Sequence, residues 1–229
     1  PLMLGMKDGF MEVEDNKLQP ADSNGLKVVS FGFFADQSNQ AAIYRGPIIS
    51  GILKQFLVDT NWSELDYLIV DLPPGTGDIP LTLAQTIPIT GILVVTTPQD
   101  VASDVAVKAV SMFEKLNVPI IGVVENMSHF ICPNCDDKHY IFGEGGAKKI
   151  SERFNMPFLG EIPLNAGIMS GSDLGKPIMI TNPDSPSATA FRQSAKNIAA
   201  QCSIIAAKLQ EEMESESSGE ETAPEASTN

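Results

Sequence analysis

The stretch Asp66-Tyr67-Leu68-Ile69-Val70-Asp71-Leu72-Pro73-Pro74-Gly75-Thr76-Gly77-Asp78 decides the fold. Tyr67 to Val70 is a short apolar run with β-branched members, the composition of a strand buried on both faces of a parallel sheet. The run ends on Asp71, and a turn holding two prolines and two glycines follows at once. A carboxylate at the carboxyl end of a central parallel strand stands where open α/β sheets bind ligands. Ionised, it can hold Mg²⁺ or a metal-bound water beside a nucleotide phosphate. Gly75 and Gly77 leave backbone N–H groups uncovered, so these can approach phosphate oxygens closely. A strand-ending Asp also serves as a plain turn cap. The Pro-Pro-Gly-Thr-Gly-Asp continuation favours the ligand site.

Outward from this stretch, strands and helices alternate. Met11 to Gly25 is polar and reads as a hairpin or loop, and Leu26 to Phe34 as a strand. Gly46 to Val58 has helical spacing, with Ile48, Ile52, Leu53 and Phe56 toward the core. A short helix is expected near 79–86, and a buried strand over Gly91 to Thr97. A helix over Val101 to Leu116 carries the apolar stripe Val105, Ala109, Met112, Phe113 and Leu116. Pro119 to Val124 reads as the next strand, and a loop bearing two cysteines follows Ser128. A helix over 145–154, a strand over Phe158 to Ile162 and a long helix from Pro186 to Met213 complete the pattern. That last helix places Phe191, Ala195, Ile198, Cys202, Ile205 and Leu209 on one face, where Cys202 serves as a small buried hydrophobe. Such alternation predicts βαβ units in a mostly parallel, doubly wound α/β sheet.

The chain of 229 residues suits one sizeable core, and its 43% hydrophobic share and mean hydropathy of +0.02 suit a globular protein. The formal charge is −14. Residues 211–229 hold seven glutamates and no base, and the remainder holds 22 acids against 15 bases. Neither part offers the basic face that nucleic acid or an anionic membrane requires, and no apolar run approaches the roughly 20 residues of a membrane span. The expected organisation is one domain over 1–210 and a disordered acidic tail over 211–229. Three cysteines make no disulfide framework and argue for a reducing, cytoplasmic setting, although an organelle-targeting segment upstream of Pro1 is compatible with the sequence.

The segment Asp71 to Asp78 resembles the signature of the Mrp/ApbC family, MinD-like P-loop ATPases that carry iron–sulfur clusters. The resemblance continues through Tyr44-Arg45-Gly46-Pro47, Thr97-Pro98-Gln99-Asp100-Val101, Glu125-Asn126-Met127-Ser128 and Cys132-Pro133-Asn134-Cys135, and covers residue 1 to about residue 180. It implies that Asp71 is the Mg²⁺- and water-linked switch II aspartate and that Gly75 and Gly77 lie near the γ-phosphate of ATP. It also implies that Asn126 reads the adenine edge and that the segment around Pro163 flanks the base. For Asn126 taken alone, a loop-capping role is the more usual one.

A P-loop needs G-x-x-x-x-G-K-[ST], and these 229 residues contain none. The nearest approach, Gly171-Ser172-Asp173-Leu174-Gly175-Lys176-Pro177, is one residue short and ends on Pro where the Mg²⁺-binding hydroxyl belongs. Pro1-Leu2-Met3-Leu4-Gly5 resembles the tail of the family's switch I segment, so the P-loop is expected upstream, in a longer sequence. A relative naturally without one is the alternative. ATP binding and hydrolysis are thus implied for the family, not for this polypeptide alone.

The pair Cys132 and Cys135 sits in a loop over 129–140 and has three readings. Two thiolates at this spacing can share a metal. By the family resemblance, two copies of the chain would together hold one [4Fe–4S] cluster across a homodimer interface. Alternatively, His129, Cys132, Cys135 and His139 offer four zinc ligands within 11 residues, a tight loop for tetrahedral closure. A thiol–disulfide pair ranks last, because no helix start is evident to lower the first thiol's pKa. The expected function is a soluble cluster carrier that delivers to apo iron–sulfur proteins, gated by ATP. A MinD/ParA-like positioning ATPase without a cluster and a zinc-stabilised binding module are the alternatives.

Overall fold

The computed structural model describes residues 1–6, 12–33, 46–72, 78–135 and 137–220, without the side chains of 46–48, 78 and 216–220. Its frame is a βαβαβ unit. Strand β5 (Ile92–Thr96) leads through α3 (Asp100–Lys115) to the long strand β6 (Ile120–Ile131), and α4 (Gly146–Phe154) leads on to β8 (Phe158–Leu164). Both β5 and β8 run parallel to β6, which lies between them. A two-residue strand, β7 (Lys138–His139), pairs antiparallel with the far end of β6. Ahead of this frame stand two hairpins, β1 (Val13–Glu14) with β2 (Lys17–Leu18) and β3 (Ala21–Ser23) with β4 (Leu26–Val28). They precede the helices α1 (Gly46–Val58) and α2 (Asp78–Thr86).

Two apolar layers cover the sheet. On one side Val94 and Val123 meet Ala106 and Val110 of α3 and Ala147 and Ile150 of α4. Val110 and Val123 are fully buried, and each such side chain contributes about 1.5–3 kcal/mol. On the other side Ile121, Val124, Leu159 and Ile162 receive Ile198, Cys202 and Ile205 of α7 (Pro186–Glu220). Helices on both faces of a parallel sheet are the doubly wound arrangement that the alternation predicts. Short helices α5 (Ala166–Asp173) and α6 (Ile178–Thr181), not anticipated from the sequence, fill the span between β8 and α7. They absorb Gly171 to Lys176, which therefore forms a helix end and its turn. Pro163 lies buried in β8, a strand whose only partner among the described residues is β6. A proline is tolerated on such an edge because no ladder hydrogen bond is lost there.

Five expectations are corrected. Tyr67 to Val70 forms no strand: the segment is irregular, Ile69 is 89% and Tyr67 57% exposed. An apolar run becomes a central strand only where neighbours pair with it, and no described strand does. The Leu26 to Phe34 strand stops at Val28, and a 3-10 turn over Phe31–Phe33 follows, placing the Phe31 ring 5.0 Å from that of Phe56. On α3 Phe113 is buried as expected, but Ala106 and Val110 take the inner positions expected for Val105 and Ala109, and Val105 is 53% exposed. On α7, Phe191 and Leu209 sit at the rim (36% and 37% exposed), Ala195 is exposed, and Ile198, Cys202 and Ile205 do the packing. Finally, α7 continues as helix through Glu220, past the boundary expected at Met213, because Glu and Ser extend an existing helix at small cost per residue. Residues 221–229 lie outside the described residues.

Candidate functional site

The strand β6 builds the site. Its first half is the apolar run Ile120–Val124. Glu125, only 2% exposed, then turns its carboxylate onto the start of α4, accepting a 2.8 Å hydrogen bond from the Ala147 N–H. A helix start holds unpaired N–H groups and partial positive charge, so a carboxylate is well matched there. Gly146, at that helix start, packs against Pro98: a Cβ on it would stand 2.6 Å from the Pro98 carbonyl oxygen.

Past Glu125 the strand kinks. Met127 has a left-handed backbone (φ 54°), and the register against β8 shifts between Asn126 and Phe130. The Asn126 side-chain oxygen accepts from the Met127 N–H at 3.0 Å, the local capping role that its residue type suggests. Beyond the kink both Ser128 and His129 are buried. His129 Nδ1 lies 2.7 Å from Ser128 Oγ and 3.8 Å from the Glu161 carboxylate of β8. Lys148 of α4 donates to the other Glu161 oxygen at 2.7 Å, and the Tyr140 ring centre lies 6.2 Å from the imidazole.

The charges in this cluster are tuned by their neighbours. Burial holds the His129 pKa below its ordinary value, the positive charge of Lys138 adds to this, and Glu161 opposes both. Burial alone would raise Glu161, but the Lys148 hydrogen bond and charge, with His129 and Lys138, together leave it below the usual carboxylate range. The Glu161 hydrogen bond raises Lys148. With Lys148 53% exposed, this ion pair is worth about 0–1 kcal/mol, so it orients Glu161 more than it stabilises the fold.

On this platform β6 and β7 form a hairpin whose tip carries the cysteines. Phe130 pairs with His139, Ile131 with Lys138, and the Cys132 N–H donates to the Asp137 carbonyl at 3.0 Å. The strand thus continues three residues past Ser128, where a loop is expected, because the kink lets it reach a second partner. Metal-ligand atoms of Cys132, Cys135 and His139 all lie within 4.8 Å of one another. Cys132 is half-buried, and Cys135 and His139 are exposed. Neither cysteine is in a disulfide. Two thiols and an imidazole facing solvent suit a transition metal or a thiolate-held cluster. His129 is not part of this group, so the four-ligand zinc set loses one member to the buried cluster below it.

Of the residues expected on the nucleotide side, Asp71, Asn126 and Pro163 lie among the described residues. Gly75 and Gly77, with Tyr44 and Arg45, lie outside the described residues, and Asp71 is exposed at the end of the irregular segment. The sequence holds no G-x-x-x-x-G-K-[ST], the motif whose backbone N–H groups and Lys cradle phosphates. The buried polar residues Glu125, Ser128 and His129, with the half-buried Glu161, were not anticipated as a cluster. Its one sequence signal is a carboxylate and a histidine following an unbroken apolar run.

Comparison with known proteins places these features in a family. A family model described as ParA, the NUBPL iron-transfer P-loop NTPase, matches residues 1–199. The iron-sulfur cluster carrier protein of Synechocystis sp. is 45% identical over 211 residues, covering 90% of this chain and 60% of that protein. The iron-sulfur cluster transfer protein NUBPL of Dictyostelium discoideum is 44% identical over 207 residues (90% and 64%). The carrier protein of Escherichia coli is 46% identical over 202 residues (88% and 54%). The chain therefore spans less than two thirds of the length of these relatives. Among solved structures, the nucleotide-binding protein of Archaeoglobus fulgidus, in complex with ADP and with Co, superposes with a TM-score of 0.67 at 36% identity, covering 83% of this chain and 73% of that one. With the family model matching residues 1–199, the chain belongs to the ParA family, described as the NUBPL iron-transfer P-loop NTPases.

Proposed function

We propose that this chain is the cluster-handling part of an iron–sulfur cluster carrier. Its cargo is a labile [4Fe–4S] cluster, held by Cys132 and Cys135 together with the same two cysteines of a second copy and passed to apo-proteins in the cytoplasm. The observation that carries this reading is the hairpin tip, where both thiols stand within 4.8 Å of one another on an accessible edge. Two thiolates complete only half of a four-cysteine cluster site, so a two-fold pair of chains supplies the rest. A solvent-facing cluster with few ligands per chain is suited to being handed over.

Nucleotide binding and ATP hydrolysis, with Mg²⁺, belong in this reading to the longer protein. Asp71, Gly75 and Gly77 would face the phosphates, and Asn126 and Pro163 would face the base. The Asn126 side-chain oxygen is committed to the Met127 N–H, so its NH₂ group would make the contact. The sequence carries no P-loop, and no phosphoryl-transfer step is assigned to these residues.

The test is transfer itself. The chain is loaded anaerobically with iron and sulfide, separated from excess reagents, and mixed with an apo-enzyme whose activity requires a [4Fe–4S] cluster. Activity should return with the wild type and not with Cys132→Ala or Cys135→Ala. Equal recovery with either variant would remove the cysteine pair from the role.

A further inference from the structure

We propose that Cys132, Cys135 and His139 form, within one chain, a site for a single divalent transition-metal ion of the zinc class. The proposal rests on the reading of this hairpin as metal-handling and adds a ligand and a second cargo state to it.

The two histidines flanking the cysteines are treated oppositely by the fold. His129 is 6% exposed and its Nδ1 is engaged with Ser128 and Glu161. His139 is exposed on the two-residue strand β7. The register Phe130–His139 and Ile131–Lys138, closed by the Cys132 to Asp137 hydrogen bond, folds the chain back so that His139 returns beside the thiols. The three donor atoms lie within 4.8 Å of one another. With bonds of about 2.3 Å to sulfur and 2.0 Å to nitrogen, ligands on one tetrahedral Zn²⁺ stand roughly 3.5–3.8 Å apart. The remaining contraction, on the order of 1 Å, lies within the reach of side-chain rotation at an exposed turn.

Two thiolates and one imidazole are a zinc-type donor set, and three protein ligands leave the fourth position open to water or to a donor from another molecule. The exposed face gives the ion an entry path. Both thiols are consumed in this state, so a single-ion chain and a cluster-bridged pair of chains exclude one another. Only the single-ion state uses His139.

The test uses Co²⁺ alone, titrated into the purified, reduced, full 229-residue chain without sulfide. The expected result is one Co²⁺ per chain, with thiolate-to-metal charge transfer and the strong ligand-field bands of four-coordinate cobalt. His139→Ala should weaken binding at least about tenfold and reduce the ligand-field bands, while Cys202→Ala, which changes a thiol on α7, should match the wild type. Wild-type affinity in His139→Ala, or one Co²⁺ per two chains regardless of that substitution, overturns the proposal. Reconstitution with iron and sulfide separates it from the cluster reading. His139-dependent cobalt binding in a chain that takes up no cluster supports the single-ion site and removes the cluster. A cluster with His139-independent cobalt binding does the reverse.

Discussion

His129 Nδ1 stands 3.8 Å from the Glu161 carboxylate, across the pair formed by β6 and β8. The contact ties the root of the cysteine hairpin to the edge of the sheet, and Lys148 of α4 holds Glu161 from the other side. Three elements thus fix the strand immediately before the cysteine-bearing tip. The groups involved titrate, so the fixation depends on pH.

The folded pKa of His129 lies below its ordinary value of 6.5, so the unfolded chain takes a proton that the folded chain resists. Stability is therefore expected to fall as pH drops through 6.5 toward the lower folded value. Glu161 is shifted down from 4.5, and its contribution is lost only at still lower pH. Urea unfolding at a series of pH values should show a decline below 6.5 that is smaller in His129→Gln. A stability that rises over that interval would contradict the arrangement.

Glu125 is buried at 2% exposure against the start of α4. Replacing it with Ala leaves the Ala147 N–H without its partner, a loss of about 1–3 kcal/mol. For a chain of this size each kcal/mol moves the thermal midpoint by roughly 2–4 °C. Glu125→Gln keeps an acceptor of the same reach and should lose less than half as much. Calorimetry on the pair checks this, and equal losses would contradict it.

Two glycine substitutions should act in opposite directions. At Gly146 a new Cβ meets the Pro98 carbonyl at 2.6 Å, so Gly146→Ala should cost about 1–3 kcal/mol by overpacking. At Gly51, within α1, a Cβ meets nothing within 4 Å, so Gly51→Ala should stabilise by about 0.5–1 kcal/mol. Chemical denaturation of both variants is the check. The same sign in both would show that one of these environments is misjudged.

The α7 helix runs on to Glu220, and Met213 (71% exposed), Glu214 and Ser215 all lie exposed on it. Deleting residues 214–229 should change stability by no more than about 0.5 kcal/mol and leave metal binding intact. A thermal midpoint lower by more than a few degrees would show that the tail packs on the domain.

The sequence was most legible where one local pattern sufficed. Gly46–Val58 matched its helix to the residue, and β5, α3 and α4 came within one residue at each end, because apolar period and flanking Gly or Pro agreed there. It was least legible where partners decide. Tyr67 to Val70 has the composition of a buried strand, yet only a neighbouring strand can make it one. The exchange of Val105 for Ala106 on the inner face of α3 reflects the same limit, since several helical faces of that segment are apolar and the sheet selects one. The pairing of Cys132 and Cys135 was readable from spacing. His139 was readable beside them as a candidate ligand, whereas the inward turn of His129, which takes it out of that set, accompanies the left-handed kink at Met127, which no local propensity announces.

The central claim is that the hairpin thiols of two chains hold one cluster, and anaerobic reconstitution with iron and sulfide tests it most directly. The loaded protein should elute at the mass of two chains, carry four irons and four sulfides per pair, and show the broad visible absorbance of a thiolate-ligated cluster. Cys132→Ala and Cys135→Ala should each abolish that absorbance, while His139→Ala retains it. An iron–sulfide chromophore that survives loss of either cysteine, or one that resides on a single chain, would contradict the account.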